Sequence, residues 1–113
     1  MTHRRRALLV VAPVFALVAA ATASLALAAT KNVGVKKAGT RYHFTVSHLT
    51  IKKGDTVHWS WSGSVPHNVT GPGFHSRTAT KLTYSHRFTK AGTYRVRCTI
   101  HAALGQRMVI TVR

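Results

Sequence analysis

The stretch Tyr94-Arg-Val-Arg-Cys98 alternates apolar and cationic side chains with a period of two, the pattern of a strand with one face in a core and one in water. It sends Tyr94, Val96 and Cys98 inward and Arg95 and Arg97 outward. The same alternation recurs in Tyr42, Phe44 and Val46 against His43 and Thr45, and in Val57, Trp59 and Trp61. It appears again in Leu82, Tyr84, His86 and Phe88, and in Met108, Ile110 and Val112. Turn residues cut the runs at Lys52-Lys-Gly-Asp55 and Lys90-Ala-Gly92, and the glycine- and proline-containing stretch from Gly71 to Arg77 reads as a loop. No repeat and no helical periodicity intervene. The fold expected after the amino-terminal segment is all-β, a sandwich or barrel.

That segment is of another kind. Arg4-Arg5-Arg6 precedes an almost wholly apolar run from Ala7 to Ala29, and Ala26-Leu27-Ala28 offers small residues where a signal peptidase cuts. The expected division is a signal peptide over 1–28 and one folded domain over 29–113. The apolar run also has about the length a bilayer-spanning helix needs, so an uncleaved anchor is the alternative. Either way the domain is expected outside the cytoplasm: periplasmic, bound to the envelope or secreted.

Charge and cysteine content narrow the chemistry. The chain has 17 Lys+Arg against one acid, Asp55, and residues 29–113 keep 14 of those bases. The bases are scattered, as at Lys36, Arg41, Lys53, Arg77, Lys90 and Arg107, so a solvated basic surface with acidic protein partners is expected, and nucleic acid is not. Without a glutamate, paired-carboxylate catalysis has no residues, and an enzyme is not expected. The single cysteine, Cys98, rules out an internal disulfide, which leaves it buried, paired between molecules or reserved for chemistry.

Cys98 ends a strand, His101 lies three residues later, and His67 is expected to begin a separate strand in Pro66-His-Asn-Val69. Alone, Cys98 reads as an inert thiol and His67 as a loop histidine. Together they supply one thiolate and two imidazoles, a donor set that suits copper in both of its common oxidation states. His75 reads as a surface residue, His43, His48 and His58 as solvent-facing, and His86 as partly buried and structural. Trp59, Trp61 and Met108 read as core.

From Tyr42 to Val112 the sequence resembles the cupredoxins, especially the plastocyanin and amicyanin type. The resemblance is carried by Ile51-Lys-Lys-Gly-Asp-Thr-Val-His-Trp59, Pro66-His-Asn-Val69, Phe88-Thr-Lys-Ala-Gly-Thr-Tyr94 and Cys98-x2-His101. It implies a Greek-key β-sandwich and one copper ion with His67, Cys98 and His101 as equatorial ligands. It also implies that Asn68 ties the two ligand loops together. Where plastocyanins usually place an axial methionine, five residues past the second histidine, this chain has Gln106, and amicyanin-like spacing falls on Leu104, which cannot coordinate. His101-Ala-Ala-Leu-Gly-Gln106-Arg-Met also resembles the stellacyanin-type phytocyanins, which implies Gln106 as the axial ligand. Pro66, Gly71, Pro72, Ala102, Ala103 and Leu104 are expected to form an apolar rim around His101.

The function expected is that of a monomeric type 1 (blue) copper protein that carries single electrons between redox partner proteins. Copper storage or delivery without redox turnover is the first alternative, and a metal-free basic sandwich that binds envelope polyanions is the second.

Overall fold

In the computed structural model the described residues are Val10, Ala12, Pro13 and 27–113, so the segment read as signal or anchor lies almost wholly outside them. The chain runs through β1 (Thr30–Val33), β2 (Val35–Ala38), β3 (Arg41–Phe44), β4 (His48–Ile51), β5 (Thr56–His67), β6 (Thr70–Gly71), β7 (Phe74–His75), β8 (Ala79–Arg87), β9 (Gly92–Arg97) and β10 (Arg107–Val112). The one helical element among the described residues is a 3-10 turn, Ala102–Leu104. One sheet has the order β1-β5-β8 and the other β4-β10-β9-β6-β7, with β2 and β3 forming a separate hairpin. The all-β expectation holds.

Alternation decides what the sheets enclose. Val57, Trp59 and Trp61 of the first sheet and Ile51, Val96, Met108, Ile110 and Val112 of the second are buried in one cluster with Val33, Phe44, Val69, Phe74, Phe88 and Cys98. Burying both tryptophans, each of which removes roughly 150–250 Å² from water, makes this inter-sheet layer the main source of stability. Trp59 Nε1 donates to Met108 Sδ at 3.4 Å, so the indole keeps a partner within the core.

Three features depart from the expected pattern. The stretch from Gly71 is not irregular at its start: β6 and β7 pair as a small hairpin at the edge of the second sheet, with Phe74 buried. Phe74 lies over Gly71 so closely that a Cβ there would overlap its ring. His67 ends β5 instead of opening a strand. Between Ser62 and His67 the chain runs five residues while its partner β8 moves only from Lys81 to Ala79, and this bulge delivers His67 to the inner face. Residues 30–33 form a strand parallel to β5, with Thr30 beside Thr56, a long-range pairing that local alternation does not carry.

The two ends of the sandwich differ in chemistry. At one end Asp55 accepts backbone N–H bonds from Ala29 at 2.8 Å and Lys52 at 3.0 Å, which hold its carboxyl below the usual range. This end also holds Ile51, Val112 and Gly92, which are register partners. The opposite end of β9 and β10 carries Cys98.

Candidate metal centre

Antiparallel pairing sets Arg97 opposite Arg107, so Cys98, just past β9, and Gln106, just before β10, lie side by side. The Cys98 N–H donates to the Gln106 carbonyl at 3.0 Å and closes the loop between them. With Arg97 outward, the strand's parity sends Cys98 inward, where it is fully buried. Within the loop, the N–H groups of Leu104 and Gln106 both donate to the His101 carbonyl, at 2.9 and 3.2 Å, which folds the chain back over His101. Gly105 caps the 3-10 turn at φ 99, a left-handed conformation, and a Cβ there would press to 3.0 Å on His43 Cε1.

His67 arrives from the other sheet. Its Nδ1 lies 3.2 Å from His101 Nδ1, and His101 Nδ1 lies 3.7 Å from Cys98 Sγ. All three side chains are buried, and their donor atoms lie within 4.8 Å of one another. The 3.2 and 3.7 Å separations are short enough for one ion about 2 Å from each nitrogen and about 2.3 Å from the sulfur to bridge both pairs. The fourth expected residue, Gln106, is completely buried; its Oε1 is 3.0 Å from His67 Nδ1 and its Nε2 has no partner. A buried amide satisfied at one end only is costly to keep for packing alone. Thus all four residues singled out from the sequence converge at one point.

Burial is the main influence that lowers the pKa of His67; the bond its ring donates to Gln106 Oε1 opposes it and the nearness of His101 adds to it. The result favours neutral imidazole, the form in which histidine binds metals. Asn68 links the converging segments: its Nδ2 donates to Thr78 Oγ1 at 3.0 Å and Thr99 Oγ1 at 2.7 Å, and its Oδ1 accepts from the Thr99 N–H at 3.0 Å and from Thr70 Oγ1 at 3.1 Å. The His67 and Cys98 loops are therefore tied together by one side chain.

Tyr42 is the contributor that sequence reasoning missed. Its ring lies 4.3 Å from that of His101, tilted by 32°, and 5.3 Å edge-on from that of His67. Alternation placed Tyr42 inward, but only the assembled fold shows which groups it covers. Of the other histidines, His75 and His48 are exposed, whereas His43 and His58 are half-buried instead of open to solvent. His43 lies against Gly105, and His58 Nδ1 is 2.6 Å from Ser85 Oγ. His86 is half-buried and stacks on Phe74 at 4.2 Å, as a structural residue should. At the surface, Pro66, Pro72, Ala103 and Leu104 are exposed and Gly71 and Ala102 half-buried, and Ile100 adds an exposed apolar side chain.

Comparison with curated protein sequences gives no match. Among solved structures, a methionine-to-glutamine mutant of amicyanin with Cu(I) is 32% identical, with a TM-score of 0.62 over 74% of this chain and 82% of that one. An oxidised methionine-to-leucine mutant of amicyanin is 31% identical, with a TM-score of 0.61 over 74% of this chain and 81% of that one. A purple cupredoxin from Nitrosopumilus maritimus shares the fold at 24% identity and a TM-score of 0.61, over 74% of this chain and 99% of that one. The family described as copper binding proteins of the plastocyanin/azurin type matches residues 29–113. With a buried cysteine sulfur and two imidazoles meeting at one end of its sandwich, the chain belongs to this copper-binding cupredoxin family, and its cofactor is copper.

Proposed function

We propose that the protein is an extracytoplasmic one-electron carrier of the blue copper type, with His67, Cys98 and His101 as equatorial ligands and Gln106 as the axial group. The observation that carries this reading is the convergence of one donor atom each from His67, Cys98 and His101, all three buried, within 4.8 Å of one another. Copper supplies the chemistry by exchanging one electron between Cu(II) and Cu(I). The chain's part is to keep the donors still. Asn68 fixes the two loops to each other, the backbone bond between Cys98 and Gln106 closes the second loop, and Tyr42 covers both imidazoles. Ligands held in this way move little when the electron arrives, which keeps transfer fast. Burial excludes water from the thiolate, and the exposed rim of Ala103 and Leu104 next to His101 is the apolar contact through which electrons enter and leave.

Amicyanin is described in both oxidised and Cu(I) forms, which supports redox cycling over storage. The mutant with glutamine in place of a methionine holds Cu(I), which supports an amide in a site of this kind. The 1–28 segment acts as an export signal or anchor, and the domain over 29–113 works as a monomer with acidic partners, as its lack of acids other than Asp55 favours. Adding Cu(II) to the metal-free protein tests the proposal. An intense blue thiolate-to-copper band with reversible reduction is expected. A colourless or irreversibly reduced complex would identify copper storage instead, and no binding would end the proposal.

A further inference from the structure

A groove of about 270 Å³ runs across the outer face of the second sheet, away from the core. Its register is informative. Arg97 and Arg107 are directly opposite each other on β9 and β10, and one step along the same face Arg95, Val109 and His48 form a row across β9, β10 and β4. Ser47 closes the groove beside His48. Like charges directly opposite on neighbouring strands destabilise a sheet, and here three arginines share one face. The chain has a single acid to offset them, and Asp55 is committed to Ala29 and Lys52 at the other end of the sandwich.

The groove is also close to the metal centre. Arg97 precedes Cys98, Arg107 follows Gln106, and Arg107 Nε donates to the Ala102 carbonyl at 3.0 Å, which fixes the head of the groove to the ligand loop. We infer that this groove is the docking site for a carboxylate-rich patch on the acidic redox partner, an inference that rests on the electron-carrier reading. Guanidinium groups pair with carboxylates through two parallel hydrogen bonds. Val109 gives the groove a half-buried apolar floor between Arg95 and His48. A partner seated here lies beside the loop that carries Cys98 and His101, which an electron-transfer complex requires and an extended envelope polymer does not.

The test is a titration of the copper-loaded, reduced full chain with a decaglutamate peptide, followed by amide chemical shifts. Shifts concentrated at Ser47, His48, Arg95, Arg97 and Arg107 are expected. The Arg97→Gln/Arg107→Gln variant should bind about tenfold more weakly, whereas Lys53→Gln/Lys90→Gln, an equal charge change on exposed turns, should stay within about twofold. Shifts spread evenly over the basic surface, or equal losses in both variants, would overturn the inference as non-specific attraction. Inorganic polyphosphate occupying the same residues much more tightly than the peptide would also overturn it, in favour of a polyanionic polymer. Failure of the electron-carrier reading is seen separately, as a wild-type protein without a blue band or reversible reduction.

Discussion

At the residue scale the decisive side chain is Gln106, completely buried with its Oε1 directed at His67 and its Nε2 unpaired. An amide oxygen is a harder donor than a thioether and favours Cu(II). Gln106→Met is therefore expected to raise the reduction potential, read by voltammetry, and an unchanged potential would remove Gln106 from the axial position. Met108 is no substitute, because its sulfur already accepts the Trp59 indole N–H. Tyr42 makes a second prediction. Tyr42→Phe keeps the ring over His101 and should leave copper retention unchanged. Tyr42→Ala removes the ring and should lower stability by about 1–3 kcal/mol in urea unfolding while hastening copper loss to a chelator. Equal copper loss from both variants would show that the hydroxyl, not the ring, matters.

At the element scale the site depends on how separate segments are joined. Asn68→Ala breaks four hydrogen bonds between the His67 segment, Thr70, Thr78 and the Cys98 loop. A loss of about 2–3 kcal/mol is expected, measured by chemical denaturation, with broadened copper spectra. In the edge hairpin, Gly71→Ala drives a methyl into the Phe74 ring, and a cost of about 1–3 kcal/mol should appear as a lower melting temperature. The strand faces were readable from Tyr94-Arg-Val-Arg-Cys98 and Val57-His-Trp-Ser-Trp61 because a period of two is local. The residues that meet at the candidate site were readable too, since Cys98 and His101 lie in one loop and the motif around His67 is distinctive. The β1 pairing with β5, the bulge that delivers His67 and the placement of Tyr42 over two imidazoles were not readable. Each depends on contacts between residues far apart in sequence, which no local pattern encodes.

At the scale of the whole molecule, stability is linked to protons and to metal. Burial lowers the pKa of His86, which stacks on Phe74, so folding prefers the neutral ring. The unfolded chain then binds this proton more readily. The contribution is complete above the ordinary histidine value of about 6.5 and is lost as pH falls through the lower folded value. Urea midpoints of the metal-free protein should fall on acidification through that window, and His86→Phe should flatten the slope. Bound copper raises stability by mass action, about 4 kcal/mol when free metal exceeds its dissociation constant by about a thousandfold, so chelation should lower the melting temperature. The scarcity of acids has a further consequence. In the proposed one-electron role, reduction changes the formal charge of +16 by a single unit. A partner attracted by this long-range field meets nearly the same cation before and after the exchange. Telling the spent carrier from the fresh one must then rest on short-range differences at the exposed edge around His101, and dissociation should depend more on ionic strength than on oxidation state.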